Sequence, residues 1–311
     1  MNTVVKLKNI ERSPIVPAKD VGEAVDNMLA RGWTRLEYPS ISRRFEQLVS
    51  TFITMVNDEM RNQYVVSDVR ELDEDGEPDL GLIFKAKGQL KPRPRPDEIA
   101  EGRLRYDSTK AVHHFNSRLL AYLGRTPGVI EKHAEFFLES ARLHAATVLL
   151  VIELAEEMDR RMPGYNFAER VRMMEYEHKS RLLHYLCDGP TQEIATRHRD
   201  KCFITPHARS SRGGLWIVDS KDMIVPDAEE TRANSILLFF SRQAWEITRG
   251  KLKGIVHGVK DTTFDDLVGR APRQTLVSFV KAHTTDEDRA WAKDNMSQLS
   301  IPAHVNRFAQ E

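Results

Sequence analysis

The sequence predicts a mainly β core with flanking helices, an α+β chain whose core is a β-sandwich or jelly-roll barrel. Apolar residues recur at helical spacing through the first half of the chain. The second half instead consists of short apolar runs separated by turn residues, the pattern of strands in an all-β core. From Thr284 onward the pattern is helical again, which predicts a C-terminal helix.

The N-terminal half is predicted to be mainly helical. Amphipathic helices are expected over Asp20–Ala30 and Phe45–Met60, with a short strand at Trp33–Tyr38 between them. A long helix is expected over Ile130–Met158. The intervening residues 71–108 are polar and partly Pro-rich, which predicts an extended loop that could serve as a mobile lid.

The C-terminal half is predicted to contain eight short strands. They are Leu182–Leu186, Glu193–His198, Cys202–Thr205, Gly214–Val218, Met223–Val225, Ser235–Phe240, Gly254–Val259 and Thr275–Lys281. We therefore expect a helical region over residues 1–165 packed on a barrel over 166–283, followed by a C-terminal helix within 284–311. These three parts are expected to form one structural unit.

Composition indicates an ordinary globular chain. The 311 residues include 46 Lys+Arg and 46 Asp+Glu, so the net charge gives no general attraction to nucleic acid or anionic lipid. The two cysteines, Cys187 and Cys202, indicate no disulfide framework, and no apolar run is long enough to span a membrane. Because Met1–Ile10 also lacks the apolar core of a signal peptide, we expect a cytoplasmic protein.

The most informative pattern is His198-x-Asp200, followed 57 residues after the aspartate by His257. On a β-strand, residues i and i+2 point the same way, so His198 and Asp200 would converge on one point if their segment is extended. Two histidines and one carboxylate form the facial triad of non-haem iron(II) oxygenases, which leaves open positions on the metal. The alternatives are a surface charge cluster for His198 and Asp200 and a packed core histidine for His257.

A second pair of residues, Arg273 and Thr275, opens the last apolar strand and shares one face of it. An arginine at the start of a buried strand needs an anionic partner, and a carboxylate ligand would provide a bidentate one. The alternative is an ion pair with a nearby acid such as Asp265 or Asp266.

With these residues, the chain resembles the isopenicillin N synthase-like branch of the iron(II)/2-oxoglutarate-dependent dioxygenases. The two histidines, Asp200, Arg273 and Thr275 match the family pattern H-x-D…H…R-x-S/T. The segment Ile247–His257 is similar to the family's approach to its second histidine, and Arg181–Tyr185 is similar to its R-x-x-x-Y strand. The resemblance is dense from about residue 181 to 281 and thin elsewhere.

The resemblance implies a double-stranded β-helix (jelly-roll) barrel that holds iron(II) on the two histidines and Asp200. It implies 2-oxoglutarate as a cosubstrate, held by Arg273 and Thr275 with help from Tyr185. Dioxygen would then be used to hydroxylate, desaturate or cyclise a substrate, with release of succinate and carbon dioxide. Residues 264–271 look like an insertion relative to the family, so Arg270 is an alternative to Arg273.

Candidate substrate residues lie beside these motifs. His207, Arg209 and Arg212 follow Asp200 where the family is commonly apolar. His114 lies at a predicted helix start that could face the mouth of the active site, and a solvated or capping role is the alternative for it. A solvated loop is the alternative for the first three. We expect a small-molecule substrate and no nucleic-acid or membrane partner, while the oligomeric state is not determined. The competing functions are a 2-oxoglutarate-independent iron oxidase, a metal hydrolase and a non-catalytic jelly-roll binding protein.

Overall fold

Two antiparallel β-sheets with helices packed around them form the molecule, which confirms the predicted sheet-rich core with flanking helices. The computed structural model describes residues 17–41, 44–45, 47–52, 81–85, 110–117, 133–185, 193–227, 234–260 and 273–305. Among these residues, no helix is both long enough and apolar enough to cross a membrane.

The labelled helices are α1 Val21–Arg31, α2 Ala134–Arg161, α3 Phe167–Arg172, α4 Arg242–Ile247 and α5 Asp286–Asp294, followed by the 3-10 turn Met296–Leu299. Helix α1 starts where the Asp20 carboxylate accepts a hydrogen bond from the backbone N–H of Glu23. It ends at Gly32, whose φ of 87° lies in the left-handed region. Residues 39–41, 44–45 and 47–52 are also helical, in agreement with the start of the predicted second helix.

The strands are β1 Trp33–Glu37, β2 Gly81–Lys85, β3 Lys110–Phe115, β4 Lys179–Tyr185, β5 Glu193–His198, β6 Ile204–Ser210, β7 Leu215–Val218, β8 Ile224–Pro226, β9 Ser235–Phe240, β10 Val256–Lys260 and β11 Arg273–Phe279. One sheet has seven strands in the order β1-β9-β6-β11-β4-β3-β2. The other has four strands in the order β5-β10-β7-β8. All eight strands predicted in the C-terminal half are therefore present: β5 and β9 have the predicted ends, and the other six have shifted ends.

The N-terminal half contributes three strands to the larger sheet, and this corrects two predictions. Residues 81–85, predicted as part of a loop over 71–108, form β2; the rest of that segment lies outside the described residues. His114, predicted at a helix start, lies in β3, which pairs antiparallel with both β2 and β4. Pairing with neighbouring strands outweighs local propensity here, because strand formation depends on cross-strand contacts that a short segment does not reveal.

The larger sheet has two chemically different faces because side chains alternate along each strand. Its outer face packs Leu182, Leu238 and Leu276 into a cluster with helix residues such as Leu143 and Leu150. Its inner face contacts the four-stranded sheet through a second apolar cluster, whose members are Trp33, Leu237, Phe239, Leu215, Ile217, Val225, Ile255 and Val259. The inner face of the larger sheet is the one that carries the candidate site.

Candidate functional site

His198, Asp200 and His257 meet at one point, although 57 residues separate the last two. His198 ends β5 and lies directly opposite His257 on β10 in the antiparallel register. Nε2 of His198 is 3.3 Å from Oδ1 of Asp200, and Nε2 of His257 is 3.6 Å from Oδ2. All three potential ligand atoms lie within 4.8 Å of one another. The structure thus brings together the three side chains that the sequence pattern nominated.

Two of the three side chains, Asp200 and His257, have the protonation states that a metal site requires. Burial would raise the pKa of Asp200, but the neighbouring His257 and His198 rings and the Thr205 hydroxyl together outweigh burial and hold that pKa below its usual range. Burial lowers the pKa of His257 to about 4, against the opposing effect of Asp200. At neutral pH the site therefore presents an ionised carboxylate beside a neutral imidazole, the forms that bind metal ions.

The triad geometry fits a divalent metal ion. Two ligands at right angles, each about 2.1 Å from a metal, lie about 3 Å apart. The separations of 3.3 Å and 3.6 Å are close to this value. His198 retains 32% of its side-chain exposure, whereas Asp200 retains 5%, so solvent reaches the triad from the side of His198.

A set of hydrogen bonds fixes Asp200, and sequence reasoning missed it. The Thr205 hydroxyl donates to Oδ2 of Asp200 at 2.7 Å and lies 2.8 Å from the Ser241 hydroxyl. The backbone N–H of Arg242 donates to the Asp200 carbonyl at 2.9 Å. Ser241 is 41 residues from Asp200, so no local signal identifies it. Such supporting groups orient a metal ligand and hold it ready to bind.

Arg273, Thr275 and Tyr185 also come together. Arg273 is directly opposite Tyr185 across β11 and β4, and its guanidinium carbon lies 5.6 Å from the centre of the Tyr185 ring. Nη2 of Arg273 donates to the Ser210 hydroxyl at 3.0 Å, and Ser210 in turn contacts the Thr275 hydroxyl. One buried guanidinium and two hydroxyls therefore form a compact donor set suited to a carboxylate. Ser210 was not predicted, and Arg270 lies outside the described residues.

Electrostatic interactions connect His207 with both the candidate triad and Arg273. Burial lowers its pKa well below the ordinary range, and the charge of Arg273 and the nearby Arg35 and His257 lower it further. His207 is therefore a neutral imidazole within electrostatic range of both halves of the site. The sequence pattern nominated His207 as a substrate residue, and the structure places it near the triad and Arg273.

The other predicted substrate residues are distributed differently. Arg209 lies on the outer face of the sheet, where its guanidinium carbon is 5.7 Å from the centre of the Phe45 ring. Arg212 is half-buried in the bend after β6. His114 is buried on β3 and pairs in register with Arg181 of β4. The site therefore brings together His207 and the six predicted metal and cosubstrate residues, and does not bring Arg209 with them.

A buried ion pair ties the two sheets together near this site. Arg35 of β1 donates from Nε to Oδ1 of Asp227 at 2.9 Å and from Nη2 to the other carboxylate oxygen. Arg35 also donates to the Ser235 hydroxyl at 2.9 Å. Asp227 follows β8 of the smaller sheet, so this bidentate contact fixes one edge of the two sheets relative to each other.

The chain has the fold of the 2OG-Fe(II) oxygenases. A protein from Caulobacter crescentus assigned to that family matches with a TM-score of 0.62 at 16% identity, over 93% of this chain and 100% of the other. A full-length protein from Neurospora crassa, solved in complex with alpha-KG, matches with a TM-score of 0.58 at 16% identity, over 85% and 79%. The same Neurospora crassa protein has also been solved with alpha-KG and thymine.

AtDAO1 from Arabidopsis thaliana, a dioxygenase for auxin oxidation solved with 2-oxoglutarate, matches with a TM-score of 0.54 at 13% identity, over 93% of this chain and 99% of the other. The sequence matches no protein-family model and no curated protein. The likeness to solved structures thus concerns the fold.

Proposed function

We propose that the protein is an iron(II)- and 2-oxoglutarate-dependent dioxygenase that hydroxylates a small molecule, built on a jelly-roll barrel of the isopenicillin N synthase-like kind. The convergence of His198, Asp200 and His257 carries the proposal. The nearby donor set of Arg273, Ser210 and Thr275 adds a feature that a simple metal-binding module would not need. Solved structures of the same fold contain 2-oxoglutarate.

In this proposal, His198, Asp200 and His257 hold iron(II), and the distal carboxylate of 2-oxoglutarate binds at Arg273. Bound together, iron(II) and 2-oxoglutarate supply the oxidising chemistry that inserts one oxygen atom of O2 into a C–H bond while the other ends in succinate, with loss of CO2.

The protein's own residues position the reactants and exclude water. Arg273 is 1% exposed, so its charge acts on a carboxylate with little screening by solvent. The Ser210 hydroxyl, fixed between Arg273 and Thr275, restricts where a carboxylate can sit. Tyr185 covers one side of the guanidinium. This set would fix one end of an elongated diacid while its other end reaches the metal ligands.

The experiment that tests the proposal is an anaerobic titration of metal-free protein with iron(II) and 2-oxoglutarate. Chelation of the keto acid gives a weak visible charge-transfer band, which should appear in the wild type. Exposure to oxygen should abolish the band and release succinate. His257→Ala should lose the band because it removes a ligand. Arg273→Met should bind iron but need at least tenfold more 2-oxoglutarate, because it removes the charged partner of the distal carboxylate.

The titration also separates the alternatives. Iron binding without the band would favour a 2-oxoglutarate-independent oxidase. Absence of iron binding would favour a binding protein of the same fold. If Arg273→Met binds 2-oxoglutarate like the wild type, the distal carboxylate lies elsewhere, and Arg270→Met becomes the next variant to measure.

A further inference from the structure

A continuous row of inner-face residues crosses the larger sheet beside the candidate site. In the strand register, His114 of β3 is opposite Arg181 of β4, and Arg181 is opposite Val277 of β11. Val277 is opposite His207 of β6, which is opposite Leu237 of β9. Leu237 belongs to the apolar cluster between the sheets, so the whole row faces the interior between them.

The inner face is partly exposed to solvent over β4 and the end of β11. Arg181, Leu183 and Phe279 belong to inner-face positions and are half-buried, whereas His207 and Leu237 of the same face are buried. The Arg181 guanidinium carbon lies 4.9 Å from the centre of the Phe279 ring. We call these three half-buried residues the mouth. Arg181 is thus supported by an aromatic ring at a partly exposed position of the inner face.

Strand spacing separates Arg181 from both His207 and the proposed 2-oxoglutarate end of the site. Arg181 is two strands from His207, which corresponds to about 10 Å at about 5 Å per strand. Along β4, Arg181 is four residues before Tyr185 and so about 13 Å from the proposed 2-oxoglutarate end of the site. Arg181 therefore cannot duplicate the role of Arg273.

The charge of this face favours an anion. Lys179 and Arg181 occupy neighbouring inner-face positions of β4. Among the described inner-face positions of the seven-stranded sheet, one is acidic. It is Glu37, which is exposed on the edge strand β1. A planar guanidinium held against an aromatic ring is well suited to bidentate recognition of a carboxylate.

We propose that the substrate carries a carboxylate, which Arg181 binds at the mouth while the Phe279 ring supports the guanidinium and borders the apolar part of the substrate. The assignment rests on the proposed function, since it places the reacting carbon between Arg181 and the triad. It defines the substrate class as a small organic acid distinct from 2-oxoglutarate, with the oxidised carbon several bonds from the carboxylate.

The test compares acids with their uncharged amides. The probes are 3-phenylpropanoate with 3-phenylpropanamide and hexanoate with hexanamide. Binding is measured anaerobically by the change in the visible band of protein loaded with iron(II) and 2-oxoglutarate, and independently by tryptophan fluorescence without iron. We expect at least one acid to bind at least tenfold more tightly than its amide.

Variants of Arg181 test whether its guanidinium group binds the acid probes. Arg181→Met should weaken acid binding at least tenfold without weakening amide binding, and Arg181→Lys should give an intermediate effect because it keeps the charge but loses the planar fork. Arg142→Met, which removes an exposed arginine paired with Glu139 on α2, is the matched control and should behave like the wild type.

The outcomes distinguish this proposal from the proposed function. An unchanged charge-transfer band in Arg181→Met, with loss of acid binding, supports the assignment. Equal binding of acids and amides to the wild type, binding of no acid, or unchanged acid binding in Arg181→Met overturns it. Loss of the band in the wild type itself would instead refute the iron and 2-oxoglutarate proposal, while the fluorescence titration still decides whether Arg181 selects acids.

Discussion

His113 provides a direct test of how burial controls stability in this fold. Its ring is 1% exposed and lies between aromatic rings, with centroid distances of 4.8 Å to Phe136, 5.3 Å to Phe115 and 5.9 Å to Phe137. Neither ring nitrogen has a hydrogen-bond partner among the described residues. Burial lowers the pKa of His113 to about 3.

The lowered pKa of His113 determines whether the protein gains or loses stability as the pH falls. In the unfolded chain, the His113 ring binds a proton as the pH falls below about 6.5. In the folded protein, the same ring stays neutral until the pH reaches about 3. The stabilising effect of the neutral ring is therefore fully present above pH 6.5 and is lost as the pH falls towards 3. Below pH 6.5 this group lowers the free energy of unfolding by about 1.4 kcal/mol per pH unit, which gives about 2 kcal/mol between pH 7 and pH 5.

We predict that His113→Leu reduces the pH dependence of the unfolding free energy by about 2 kcal/mol between pH 7 and pH 5. At pH 7 the variant should be at least as stable as the wild type, because it removes a buried polar ring without a partner and keeps a similar volume. The assay is urea denaturation followed by tryptophan fluorescence at a series of pH values, with a chelator present to fix the metal state.

Phe136→Leu is the matched control from the same aromatic cluster. It should lower the unfolding free energy by a similar amount at every pH, because it removes packing and no titrating group. A loss of stability between pH 7 and pH 5 that is as large in His113→Leu as in the wild type would refute the reasoning.

Three further predictions concern the two sheets and the triad. Asp227→Asn should lower the unfolding free energy by about 3–5 kcal/mol in urea denaturation, because it breaks the buried ion pair with Arg35. An unchanged midpoint of the urea unfolding transition would exclude a structural role for this ion pair. Gly258→Ala should weaken iron(II) binding in a metal titration, because a Cβ there would lie 2.6 Å from the Trp216 ring and shift the strand beside His257; wild-type affinity would show that the ring can move away. Thr205→Val should reduce iron(II) affinity about 10–100-fold because it loses the hydrogen bond to the Asp200 carboxylate, while Thr205→Ser should retain this bond and the affinity. Equal affinities in the two variants would contradict this prediction.

The sequence alone nominated the triad because its chemistry depends on residue type and short spacing. His198 and Asp200 are two residues apart, and an extended segment necessarily turns both side chains to one side. The apolar periodicity similarly predicted α1, α2 and the strands of the second half, since burial of one face repeats at a period that is visible in the sequence. Strand pairing of β2 and β3 depends on partners far along the chain, and local pattern did not indicate it.

Which arginine faces the interior was decided only by the tertiary structure. The register between β11 and β6 shifts near Ala208, so His207 and Ser210 face the site although they are three residues apart. The same irregularity turns Arg209 to the outer face, against Phe45. Because a shift of one residue exchanges the two faces of a strand, residue type and spacing could nominate His207 and Arg209 together, and only the strand register could separate them.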